Sequence, residues 1–151
     1  MINDLHKAIL DLNGVLHSPR IENQVMQQAG VELDRALFPL LLRIGMRGPI
    51  GVVKLAEQVG RDHSTVSRQV AKLESLGLIT RQSGQADQRM KEACITDSGQ
   101  KLVRAIAHIH DGIVEKALEH WSESDREQLT ILMRKLADSA LSYVNIKIEQ
   151  A

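Results

Sequence analysis

Aromatic side chains are scarce in this sequence: one Trp, one Tyr and one Phe among 151 residues. Whatever core it forms must be aliphatic, which suits packed helices rather than a β-sandwich. A single cysteine, Cys94, excludes an intrachain disulfide framework. No apolar run approaches the ~20 residues of a membrane-spanning helix. The N-terminus also lacks the basic-then-apolar order of a secretory signal. A cytoplasmic protein with no membrane partner is expected. Net charge is missing too, with 19 Lys and Arg against 19 Asp and Glu. That balance excludes a whole-molecule basic excess, a common sign of a nucleic-acid partner.

Catalytic and metal patterns are equally absent. Ser, His and Asp all occur, but in no nucleophile elbow, and there is no phosphate-binding loop. Neither an enzyme nor a cofactor is expected. His108 and His110 stand two residues apart, which on a helix separates them by about 200°. His6, His17, His63 and His120 are scattered without cysteine partners, so no metal site is expected. Cys94 reads as a half-buried structural thiol.

What the sequence does hold is an ordered series between residues 52 and 96. A short apolar helix carries Leu55, Ala56 and Val59 on one face. Gly60 then permits a sharp turn, and Asp62 is placed to cap the next helix, its carboxylate accepting from first-turn amides. In that second helix Val66, Val70 and Leu73 form one apolar stripe. Ser64, Arg68 and Lys72 project from the opposite side, flanked by Thr65 and Ser67, with no acid before Glu74. A short helix with such a hydroxyl-rich, basic face fits the major groove of double-stranded DNA. After Gly77, residues 79–83 and 90–96 read as two strands joined by 84–88. Charge follows the same plan. Residues 54–104 hold nine bases against six acids, residues 105–151 five against eight, and residues 1–53 five of each. The basic footprint is local.

The helix-turn-helix and hairpin carry recognisable strings. They are Leu55-Ala56-Glu57, Ser64-Thr65-Val66-Ser67-Arg68, Leu73-Glu74-Ser75-Leu76-Gly77-Leu78-Ile79, Asp87-Gln88-Arg89 and Ile95-Thr96-Asp97-Ser98-Gly99. Together they resemble the MarR type of winged helix-turn-helix transcription regulators, over nearly the whole chain. The resemblance implies a mainly α fold with a small β-wing, a winged helix-turn-helix core flanked by N- and C-terminal dimerisation helices. The expected division is residues 1–33 and 98–151 for dimerisation and 34–97 for DNA binding. It also implies that Arg89 enters a minor groove, where narrow A·T tracts concentrate negative potential. Asp87 would orient Arg89 or a nearby backbone amide. A small, often aromatic anion is implied as effector, bound between the dimer helices and the winged lobe. His17, Arg20, Arg43 and Met46 are the expected pocket walls.

The flanks read as helices. Leu5, Ile9, Leu12 and Leu16 recur at helical spacing until Ser18 and Pro19 stop that helix and start another, which Gly30 ends. The resembling family usually runs one longer helix here, so Pro19 is a departure. Residues 34–46 read as a core helix with Leu37, Leu40, Leu41 and Ile44 inward. Pro39 should delay or kink its start. Gly45, Gly48, Pro49 and Gly51 should loosen the link to the first motif helix. After the hairpin, Thr96 or Asp97 caps a long helix carrying Leu102, Ile106, Ile109, Ile113, Val114, Ala117 and Leu118, closed by Trp121. Residues 122–125 resemble a capping box, and the last helix carries Leu129, Leu132, Met133, Leu136, Ala140, Leu141 and Val144. Stripes this broad must be buried, and a second copy of the chain is the simplest cover. The expected function is a ligand-responsive repressor that binds a palindromic operator as a homodimer. The rival readings are a winged-helix module that recruits proteins and binds DNA weakly, or a zinc- or peroxide-sensing regulator.

Overall fold

Helix-forming periodicity dominates the structure, as the aliphatic composition requires. The computed structural model describes the backbone of residues 2–84 and 89–150 and the side chains of 3–84 and 89–144. In chain order come α1 (Ile2–Leu16), α2 (Pro19–Ala29), a 3-10 turn (Arg35–Leu37), α3 (Phe38–Arg47) and β1 (Ile50–Gly51). Then follow α4 (Val52–Val59), α5 (His63–Ser75), β2 (Ile79–Ser83), β3 (Lys91–Ile95), α6 (Asp97–Ala117) and α7 (Glu123–Gln150). The chain groups into two compact units, Met1–Asp111 and Gly112–Ala151.

Local signals explain most boundaries. The Ser18 side chain accepts from the Ile21 amide at 3.3 Å, Pro19 opens α2, and Gly30 closes it at φ 66°. Pro39 sits in the first turn of α3, where its missing N–H costs nothing, so the helix starts late, after a 3-10 turn capped by Asp34. One expected cap came out differently. Asp62 holds the N-cap position of α5, but its side chain accepts no first-turn amide. The Asp62 side chain is exposed to solvent. At α6 the cap is the hydroxyl of Thr96, which accepts from the Gly99 amide at 3.1 Å and donates to the Gly77 carbonyl at 2.7 Å. At α7, Ser122 Oγ accepts from the Asp125 amide at 3.1 Å.

The glycine-rich link before α4 is not loose. Ile50 and Gly51 form β1, which pairs antiparallel with β3 at Ile50↔Ala93 and Gly51↔Glu92. On the other side β3 pairs with β2, in register from Ile79↔Ile95 to Ser83↔Lys91, giving the order β1-β3-β2. Close approach explains the glycine at 48: a Cβ there would run into the Ile44 carbonyl oxygen. Glycine here marks tight packing.

The core of the first unit is aliphatic. Leu40, Leu41, Ile44, Leu55, Val66, Val70, Leu73, Ile79 and Ile106 are fully buried, and Phe38 is the one aromatic among them. In the second unit, Arg126 ties α7 to the end of α6 through Glu115 at 3.1 Å and the Leu118 carbonyl at 2.6 Å. Trp121 and Tyr143 are exposed.

Two predictions follow from this packing. A Cβ at position 99 would strike the Leu78 carbonyl oxygen and approach Ile95 Cδ1 to 2.6 Å. Gly99→Ala should therefore lose about 1–3 kcal/mol, as overpacking does, read as a lower urea midpoint at unchanged slope. The second concerns His110, half-buried on α6. Burial, then repulsion from His17, holds its pKa below the ordinary 6.5, against the opposing pull of Asp111 and Glu22. A depressed folded pKa means that the unfolded chain takes up the proton first. This contribution to stability is complete above about pH 6.5 and is lost as pH falls from there through the lower folded value. His110→Gln should flatten that part of the melting temperature's acid decline. An unchanged pH profile would count against it.

Candidate nucleic-acid interface

The outward face of α5 is set by its inward one. Val66, Val70 and Leu73 are 0% exposed. At about 100° per residue, that leaves the turn of helix bearing Ser64 and Arg68 pointing to the other side. Ser64, Arg68 and Lys72 are exposed, and Thr65 and Ser67 are half-buried on its edges. Ala71 and Ser75 are exposed on the same face, although neither stood out in the sequence. Both are small, so Arg68 and Lys72 stand out from that face. Their phase on the helical wheel was the available signal. Among the described residues neither Arg68 nor Lys72 makes an ion pair. The nearest acid on the helix, Glu74, turns toward β2, its Oε1 lying 3.8 Å from Arg81 Nε.

α4 supports α5 from behind. Leu55 and Ala56 are buried, and Gly60 reverses the chain at φ 66°, a backbone angle that favours glycine. Sequence reasoning counted Arg61 only as a positive charge. Its Nη1 donates both to the Ala36 carbonyl at 2.7 Å and to Gln69 Oε1 at 3.0 Å, so it fastens α5 to the 3-10 turn. No local pattern could have shown this, because one partner lies 25 residues away.

The hairpin projects beside α5. Ala93, buried at the centre of the sheet, anchors its base between β1 and β2. The Gly84 amide donates to the Met90 carbonyl at 2.7 Å and closes the strands. Arg89 is exposed at the tip side of that closure. Asp87 lies outside the described residues. Lys91 and Glu92 open β3, with Lys91 paired to Ser83 of β2 and Glu92 paired on both sides, to Gln82 of β2 and Gly51 of β1.

Behind the helix-turn-helix lies a cavity of about 430 Å³. It brings together His17 and Arg43 of the four expected effector residues, whereas Arg20 and Met46 do not line it. Met46 is 71% exposed. Asn13, Arg35, Arg61, Glu22 and Gln58 complete the polar wall. Glu22, 8% exposed, pairs with Arg35 at 3.5 Å. Arg43 has its pKa pushed down by burial and then by the like charge of Arg47. It remains a cation, but an under-compensated one. Gln58 Oε1 is buried without a hydrogen-bond partner. The wall therefore offers positive charge together with one unmet acceptor.

Cys94 is half-buried in β3, and burial followed by Glu92 pushes its thiol pKa up, away from the reactive thiolate. Among the described residues no group of three His, Cys, Asp or Glu is placed to hold a metal ion. No described helix is long and apolar enough to cross a membrane.

Comparison with known proteins agrees with this geometry. The family model described as the MarR family matches residues 33–91, from the start of the core to the wing. The uncharacterized HTH-type transcriptional regulator YxaD of Bacillus subtilis (strain 168) is 35% identical over 104 residues, covering 69% of this chain and 73% of that protein. Among solved structures, a MarR family transcriptional regulator from Listeria monocytogenes complexed with 26mer DNA matches with a TM-score of 0.73 at 22% identity. That match covers 100% of this chain and 95% of the other. CouR from Rhodococcus jostii RHA1, bound to p-coumaroyl-CoA, matches with a TM-score of 0.66 at 19% identity, over 89% of this chain and 92% of that one. At such identities the structural likeness is one of fold. The relative at 35% identity and the family match across the helix-turn-helix and wing carry more: this chain belongs to the MarR family, whose members are transcriptional regulators and not enzymes.

Proposed function

We propose that this regulator is a ligand-responsive repressor that acts in the cytoplasm and binds a palindromic operator as a homodimer. One observation carries the DNA part: the exposed hydroxyl-rich and basic face of α5, set opposite a fully buried stripe and beside an exposed Arg89. In this reading Arg68 and Lys72 enter the major groove with Ser64, Thr65 and Ser67 at the edges. Arg89 reaches the neighbouring minor groove, and Asp87 orients it or a neighbouring amide. The DNA-bound state of the Listeria structure supports the same use of the fold.

Exposed apolar side chains support the homodimer. Leu5, Leu10 and Leu12 on α1 are each more than half exposed, as are Ile131 and Leu132 on α7. Helices that leave such residues in water need a cover, and a second copy supplies the same apolar chemistry. Two α5 helices related by a two-fold axis would sit about one helical turn of DNA apart and block polymerase by occupancy.

The cavity behind the helix-turn-helix supports an effector of anionic, aromatic type. Arg35, Arg43 and Arg61 outweigh the one carboxylate, Glu22, and the apolar ring of such a ligand fits against Pro39 and Val59. The relative bound to an aromatic thioester, CouR, is consistent with a ligand-binding branch of the fold. Control requires only that the ligand bind the DNA-incompetent arrangement more tightly than the competent one.

Two substitutions test the DNA reading by fluorescence anisotropy, using a duplex from upstream of the protein's own gene beside a scrambled one. Arg68→Ala should lose about 1–3 kcal/mol on the native duplex and relax base choice, as loss of one guanine-reading arginine does. Arg89→Ala should weaken both duplexes alike and reduce the salt slope by about one. Affinities unchanged at moderate salt would remove the assigned roles. A shallow salt dependence of the unsubstituted protein would favour the protein-recruiting module, which the zero net charge suits.

A further inference from the structure

Arg61 belongs to the effector cavity and to the recognition helix at once. It sits in the turn after α4, where Gly60 reverses the chain. Its single nitrogen Nη1 bridges the Ala36 carbonyl (2.7 Å) and Gln69 Oε1 (3.0 Å). Ala36 and Arg61 both line the cavity with Arg43 and His17, whereas Gln69 lies on α5. Both acceptors of this clamp are neutral. A carboxylate is a better acceptor for a guanidinium than a neutral oxygen, because it adds a second charge to a bond already assisted by the donor and can accept two parallel N–H bonds. The cavity already holds under-compensated positive charge at Arg43, so an anion is drawn to the same wall.

We propose that Arg61 couples the cavity to DNA binding: an aromatic carboxylate entering the cavity draws its guanidinium away from Gln69 Oε1 and loosens α5. The inference rests on the anion reading of the cavity given above. Arg61 is a positioning residue. It holds the azimuth at which Ser64, Arg68 and Lys72 face outward, while Val66, Val70 and Leu73 hold the helix down. Losing the clamp therefore frees the helix to rock without unfolding it. Gln69 is the part of the device on α5 and lies outside the cavity lining, so its removal disconnects the two sites and leaves the anion wall intact.

Amide hydrogen exchange of the full chain, with and without benzoate, tests the coupling in the unsubstituted protein and in Gln69→Ala. Benzoate should slow exchange in α3 around Arg43 in both proteins. In the unsubstituted protein it should speed exchange in α5 by roughly ten- to hundredfold, the factor expected for one lost hydrogen bond from a charged donor. In Gln69→Ala, α5 should exchange that fast already, and benzoate should add nothing there. Protection of α3 with α5 unchanged, or an equal benzoate effect on α5 in both proteins, would overturn the coupling alone. No protection of α3 in either protein would overturn the anion reading and the coupling with it.

Discussion

Burial of three aliphatic side chains, Val66, Val70 and Leu73, is the constraint on which the rest of the interface depends. A helix of thirteen residues has few ways to bury so regular a stripe, and each removes the same face from water. Rotating α5 by one residue would expose a stripe position and bury Arg68 or Lys72 without a partner. Burying one unpaired cation costs several kcal/mol, more than any single groove contact returns. The orientation of the basic face is thus a by-product of the core. Aliphatic composition makes this sharper still, because branched side chains fill the space behind α5 with little rotational freedom.

A second joint fixes the hairpin relative to that helix. The Leu78 carbonyl accepts from the Thr96 amide at 3.1 Å, while Thr96 Oγ1 bridges Gly77 and Gly99. The end of α5, the start of β2 and the first turn of α6 therefore share one hydroxyl and one carbonyl. Gly99 has to be glycine because the Leu78 oxygen occupies the space of its side chain. On the other edge, β1 adds two residues to β3 and grips it at Ala93. With both edges of β3 paired, the base of the hairpin cannot slip by one residue without turning Ala93 out of the core.

Much of this was legible in the sequence because it is local. Ser18, Pro19 and Gly30 mark a stop, a start and an end within one helix length, and the α5 stripe repeats over two turns. Pro39 announced the late start of α3. The misses were non-local. β1 is two residues long and has no period to detect, so its glycines and Pro49 read as slack. Whether Asp62 carries its cap depends on where its side chain points after folding, which its place in the sequence does not fix. Arg61 looked like one more base in a basic segment, since its partners come from the 3-10 turn and from α5. The cavity had the same limit: the family resemblance named His17 and Arg43 among four expected walls, while Arg35, Gln58 and Glu22 join these two only through the packing of α2, α3 and α4.

Neutral net charge and DNA binding are compatible for a reason of length scale. At physiological salt a charge is screened within about 8 Å, so a phosphate contacted as proposed by Arg68, Lys72 and Arg89 would respond to those side chains far more than to the net charge of the whole chain. Balanced overall charge limits the non-specific, counterion-driven term and leaves a larger share of affinity to placed contacts. Affinity that depends on placement is also affinity that a small displacement can remove. Allosteric couplings are typically 1–3 kcal/mol, and a hydrogen bond from a charged donor is worth about 1.5–3 kcal/mol. A clamp of one guanidinium on one glutamine is therefore of the right size for a switch. In the proposed dimer it is present twice, so its release acts on both half-sites and the effect on operator occupancy multiplies. A stronger tie, such as a buried ion pair between Arg61 and α5, would hold the helix too firmly for a small anion to move. A neutral amide at position 69 gives a hold that a carboxylate can break.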